Sequence, residues 1–179
     1  MNIFEMIIWL FPIIFMIHDF EEIVFLKLYQ RKNEEYINSL RGKTYIPFSF
    51  EGTLEMFSIG VAVEFISFSL ISILSFIFDY YVVWYLFFAG FTFHLLGHIY
   101  LRIKFKKYVP ATITSILFTP LCCYFIYKIT IILDYGILKT LILLVLSPIV
   151  TLLWVYGLHK TFKLFGIWLN KYETSMKKK

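Results

Sequence analysis

Residues 3–26 read IFEMIIWLFPIIFMIHDFEEIVFL. From Met6 to Ile17 the run carries no charge, and His18, Asp19, Glu21 and Glu22 then follow within five positions. The apolar residues are continuous rather than alternating, so the segment is a helix and not a barrel strand; about 20 such residues cross a bilayer, whereas a membrane strand needs about 9 to 11. It has no basic leading region and no small-residue cleavage site, and its apolar stretch runs on into the acidic string. It is therefore read as a retained span rather than a signal peptide.

Working outward, four further segments meet the same length and composition: 54–78, 82–101, 111–133 and 137–158. The expected fold is all-α, a polytopic transmembrane helix bundle of about five spans forming one integral membrane domain over 1–179. The composition agrees: 60% of residues are hydrophobic, 21% aromatic and 16% charged, with a mean hydropathy of +0.76. Soluble domains are about 45 to 50% apolar and about 25% charged. Cys122 and Cys123 are adjacent in an apolar run and give no disulfide framework.

Basic residues orient the bundle. Fifteen of the 17 Lys and Arg fall after the first span, between the third and fourth, or after the fifth; Lys128 and Lys139 are the exceptions. By the positive-inside rule the N-terminus is outside and the C-terminus cytoplasmic, with a basic tail over 159–179. The net charge of +5 is then a topology signal and an attraction to anionic lipid, not a nucleic-acid footprint. Pro47 followed by Ser49 suggests a helix start before the second span. Phe162, Phe165, Trp168 and Leu169 share one face of the tail, which suits a helix lying on the inner interface.

Charges inside a span cost about 2.5 to 3.5 kcal/mol each on the insertion scale, and they tend to mark function. Here they cluster: His18, Asp19, Glu21 and Glu22 in the first span, Glu64 in the second, His94 and His98 in the third, with no Lys or Arg in any of those spans. At 1.5 Å per residue from the flanking basic residues, His18 lies about 13 Å deep, Glu21 about 9 Å, Glu22 about 8 Å, His94 about 12 Å, His98 about 6 Å and Glu64 about 15 Å. Three helices thus deliver His and Glu to one layer of the inner leaflet. His94 and His98 have the i, i+4 spacing by which two imidazoles of one helix bind one metal. Gly90 and Gly97 share their face and permit close helix approach.

The string His18-Asp19-Phe20-Glu21-Glu22 resembles the His-x-x-Glu-Glu signature of the HXXEE-motif family of small bacterial membrane proteins. The resemblance implies a shared site, a multi-pass location in the bacterial plasma membrane, and later acidic and histidine positions that Glu64, His94 and His98 supply; it brings no reaction with it. Other membrane enzyme classes fit less well. Histidine-box desaturases need many more histidines than the four present, and the zincin His-Glu-x-x-His is missing. The CAAX-protease pattern would need arginine where Leu26 stands.

The expected chemistry is a metal-dependent enzyme, a hydrolase acting on a lipid-like or lipidated substrate at the inner leaflet. His18, His94 and His98 with Glu22 or Glu64 hold Zn²⁺, or two ions if all the carboxylates join, and iron suits the same donors. Glu21 or Glu22 is the general base. Asp19 either orients a ligand histidine or is itself a ligand. Membrane lipids and a lipid-like substrate are the expected partners, with no nucleic acid. The alternatives are a proton or metal-ion transporter, a haem protein using His18 and His94, and a purely structural hydrogen-bonded network.

Overall fold

The computed structural model describes residues 2–40 and 53–176. Within them run α1 (Ile3–Lys32), α2 (Glu34–Leu40), α3 (Leu54–Phe78), α4 (Val82–Phe105), α5 (Thr112–Ile132) and α6 (Ile137–Met176), with no strand among the described residues. Five of the helices are long and apolar enough to cross a membrane. The chain is thus a multi-pass helical membrane protein, as the sequence predicts.

Helix ends follow local chemistry. Asn2 caps α1 in a reciprocal box with Glu5, and the Thr53 hydroxyl accepts from Met56 N–H to start α3. Asp79, Lys106 and Asp134 take left-handed backbone where α3, α4 and α5 give way to short links. The helices outrun the expected spans: α1 continues past residue 26 and α4 past 101. The tail is not a separate interfacial helix but the continuation of α6, because nothing in that lysine-rich stretch stops a helix already under way. In the tail Phe165 and Trp168 stack at 5.5 Å, and Trp168 and Tyr172 at 5.8 Å. The proposed helix start at Pro47 and Ser49, and the side chain of Phe162, lie outside the described residues.

α1 and α4 form the centre, with α3, α5 and α6 around them. In the apolar 18-residue stretch of each span, 56% of residues are buried in α4 and 44% in α1, against 22% in α3 and α5 and 17% in α6. The outer three therefore leave apolar side chains such as Leu152 and Leu153 facing outward, as lipid-facing helices do. α3 and α5 flank α1, while α5, α6 and α3 flank α4. Where α1, α3 and α4 meet, the core is aromatic: the Phe11 ring lies 4.9 Å from Phe68 of α3, and 5.3 Å from Phe88 and 5.9 Å from Trp84 of α4. α2 folds back so that Ile37 joins Tyr29 and Val109 in a small cluster at the basic end.

α4 packs tightly on α6, and Gly90 makes that approach possible. A Cβ there would collide with Thr151 Oγ1 and stand 2.8 Å from the Ser147 carbonyl oxygen, which is backbone and cannot move aside. At Gly97 a Cβ would meet nothing within 4 Å, so close approach accounts for the first glycine and not the second. Gly90→Ala is expected to destabilise the bundle by about 1 to 3 kcal/mol through overpacking. Gly97→Ala should be neutral or stabilise by up to about 1 kcal/mol, as a glycine leaves a helix interior. Thermal denaturation of both variants in detergent checks the pair.

Candidate metal centre

One turn of α1 and one turn of α4 build the centre. His94 and His98 project from one face of α4 toward α1, where His18 meets them: ring centroids are 5.3 Å apart for His18–His94, 4.9 Å for His18–His98 and 4.5 Å for His94–His98. Glu22, one turn beyond His18, brings Oε2 to 3.8 Å from His98 Nε2. One donor atom from each of His18, Glu22, His94 and His98 lies within 4.8 Å of the others, so these four side chains can hold a metal ion.

Two of the three rings, His98 and His18, have their outer nitrogen fixed by a partner. His98 Nδ1 is 2.9 Å from the carbonyl of Pro110, which can only accept, so Nδ1 carries the proton and Nε2 presents a lone pair. His98 Nε2 lies 2.9 Å from His94 Nε2. His18 Nδ1 is 3.0 Å from Thr114 Oγ1. The Thr114 hydroxyl has a single proton and gives it to the Glu21 carboxylate, at 2.7 Å from Oε2. It must therefore accept from His18 Nδ1–H, which leaves the His18 Nε2 lone pair free. That nitrogen is fully buried and has no hydrogen-bond partner. An orphaned, correctly tautomerised imidazole nitrogen beside two other imidazoles is what a metal site needs.

Glu21 has a different occupation from its neighbour. Its carboxylate accepts from Tyr108 Oη–H at 2.6 Å, Ile113 N–H at 3.1 Å, Thr114 N–H at 2.7 Å and the Thr114 hydroxyl. It thus performs, from α1, the N-cap of α5, whose own cap residue Ala111 offers no side-chain acceptor. The positive end of the α5 dipole is the charge partner that no Lys or Arg supplies. Partial burial, and then the hydrogen bond to Glu21, push the Tyr108 phenol well above its ordinary value, so it stays a protonated donor. Thr114, Tyr108 and the Pro110 carbonyl escaped the sequence reading. The one signal was an α5 start without an acidic or Ser/Asn cap, which had to be capped from elsewhere.

Asp19 is buried, 5% exposed, and its Oδ2 has no hydrogen-bond partner. Glu64 on α3 is half-buried and near enough to Asp19 and Glu22 for the three charges to repel one another. It is not one of the four clustered donors. His94, although ringed by Phe91, His18 and His98, keeps an exposed side. The cluster is therefore open on that side rather than sealed.

Comparison with known proteins follows the same residues. A family profile described as "Protein of unknown function with HXXEE motif" matches residues 9–125. That range holds His18, Glu21, Glu22, Glu64, His94, His98 and Thr114 and leaves out α6. No curated protein and no solved structure matches the chain. With the profile covering most of the sequence and the whole His/Glu centre, the chain belongs to the HXXEE-motif family.

Proposed function

We propose that the chain is an intramembrane metal-dependent hydrolase that acts on a lipid-like or lipidated substrate at the inner leaflet, with the basic end of the bundle cytoplasmic and the plasma membrane as its site. The buried, unpartnered Nε2 of His18 carries the reading, because a purely structural network would satisfy that atom. His18, His94 and His98 are the nitrogen ligands, and three imidazoles with an open side suit catalytic zinc better than a closed structural site. A bound Zn²⁺ supplies Lewis-acid polarisation of the substrate carbonyl and of water.

The chain's own groups do the rest. Glu22, whose Oε2 lies 3.8 Å from His98 Nε2, is the carboxylate beside the three imidazoles and the group placed to take a proton. Glu21 acts through Thr114: it holds the hydroxyl, and the hydroxyl holds the His18 ring. Each letter of the signature thus has its own task, with His18 as ligand, Glu21 as positioning residue and Glu22 at the ion. Access by an acyl or prenyl chain fits the exposed side of His94 and the flanking Phe93 and Leu96, which are 42% exposed.

Two alternatives fit less well. A transport path would need ionisable groups continuing beyond His18, whereas the buried side chains there are rings such as Phe15, Phe91, Phe11, Phe88 and Trp84 with the neutral hydroxyls of Thr92, Ser72 and Ser75. Haem ligation by His18 and His94 would need a slot for the macrocycle between rings that are in edge contact at 5.3 Å.

Protein purified in detergent without chelator is expected to carry zinc, to lose it to a chelator and to regain it. The zinc form should cleave ester- or amide-linked lipids in mixed vesicles, and Glu22→Gln should slow that cleavage by about 10² to 10⁴-fold. Wild-type protein without stoichiometric metal, or equal activity with and without it, overturns the proposal.

A further inference from the structure

A glycine inside a helix weakens it, so each one needs a reason. Gly90 has its reason in Thr151 and Ser147 of α6, whereas at Gly97 a Cβ would meet none of the described residues within 4 Å. Gly97 is therefore a notch in the surface of α4 rather than a packing contact, and it lies one turn from His94.

At 100° per residue around α4, Gly97 stands about 60° from His94 on one side and His98 about 40° on the other. His98 is buried against His18, while His94 is exposed. Phe93 and Tyr100, about 100° and 120° from His94 on the Gly97 side, are exposed too. The notch is thus the step between the imidazole face of the helix and its lipid-facing stripe. Gly90 lies on nearly the same line as Gly97, about 20° away, and there α6 closes the face. Two turns nearer the basic end the face is open beside His94, whose ring meets His18, the imidazole with the unpartnered Nε2. Lys104 stands over the notch, about 20° around and about 10 Å nearer the basic end. Its Nζ is 5.8 Å from the Tyr100 ring, and Arg102, Lys106 and Lys107 are exposed near it.

We infer that Gly97 is the entry notch of the histidine centre and its specificity-determining residue, admitting a lipid with an anionic headgroup at Lys104 and a carbonyl-linked chain that passes Gly97 to reach His94. Charge complementarity selects the headgroup, and the exposed Phe93 and Leu96 carry the chain onward into the bilayer. A reacting bond that far below the basic layer is an acyl ester or amide rather than the headgroup phosphate. The inference rests on the histidine centre being the reactive site, and the two are tested separately.

The probe is phosphatidylglycerol carrying a photoreactive diazirine beside the acyl carbonyl, with the matching phosphatidylcholine as its neutral counterpart, in vesicles containing the full chain; labelled residues are mapped by mass spectrometry. In wild type the label is expected on His94 or His98 as well as on Phe93 and Leu96. Gly97→Leu fills the notch and should lower the histidine label at least about tenfold. Labelling of Phe93 and Leu96, which face bulk lipid, should persist in that variant and shows that it is folded. The histidine label should be about fivefold stronger for phosphatidylglycerol, and Lys104→Gln should abolish that preference. Wild type labelled only on Phe93 and Leu96, a Gly97→Leu variant labelled on the histidines as wild type is, or equal labelling by the two lipids overturns the proposal. Zinc is counted in the same samples: a wild type with labelled histidines and no zinc removes the hydrolase reading and leaves the notch standing. Should Gly97→Leu lose the zinc that wild type holds, Gly97→Ala decides: with zinc retained its histidine label should still fall, and an unchanged label overturns the proposal.

Discussion

His98→Ala is expected to lower zinc affinity by about 100-fold or more, with little change in the fold. Structural zinc sites with four ligands carry about 10 to 16 kcal/mol, so one ligand accounts for roughly 3 kcal/mol or somewhat above, which is about two orders of magnitude in Kd. His98 is the ring with the most to lose: it meets both other imidazoles, lies 3.8 Å from Glu22 and is oriented by the Pro110 carbonyl. His94, at the open side, should cost as much in metal affinity but less in packing. Equilibrium dialysis against a zinc buffer checks both variants, and full zinc retention in both sinks the metal-site reading.

Glu21→Ala should show the opposite pattern, a large loss of stability. The substitution removes the acceptor of four hydrogen bonds and leaves the Ile113 and Thr114 N–H groups unsatisfied at the start of α5. A lost cap costs about 0.5 to 2 kcal/mol and a charge-assisted hydrogen bond about 1.5 to 3 kcal/mol, so a total of about 3 kcal/mol is expected. That corresponds to a fall of roughly 10 °C in Tm for a chain of this size. Zinc affinity should fall as well, by about 10- to 100-fold, because His18 loses the support behind Thr114. Thr114→Val separates the two effects. It leaves the backbone N–H groups to the carboxylate but removes the hydroxyl, so metal affinity should drop while most of the stability stays. A Glu21→Ala protein as stable as wild type would show that α5 is capped some other way.

Much of this was legible along the chain. Span length and continuous apolarity gave five membrane helices, and two of the expected spans, 54–78 and 137–158, match the observed ends of α3 and of the membrane part of α6. The i, i+4 pair His94 and His98, and the depth count that put His18 level with His94, brought together rings that are 5.3 Å apart in the fold or closer. Helical periodicity is local, so one-dimensional counting captures it. Other features were not local. Gly90 and Gly97 looked equivalent on one face of α4, and only the presence of α6 beside the first distinguishes them.

The signature shows the same division. The sequence by itself determined that the chain is a helical membrane protein and that His18, Glu21 and Glu22 fall in an apolar segment, 3–26, that carries no basic side chain, because hydropathy and the cost of buried charge are properties of residue type. Only the tertiary structure decided which glutamate does what. Glu21 and Glu22 are neighbours of identical chemistry, about 100° apart around one helix. One meets the amide-rich start of α5 and becomes its cap; the other turns toward the histidines of α4. Which neighbour waits on each side of α1 is a matter of helix packing, and no count along the sequence contains it.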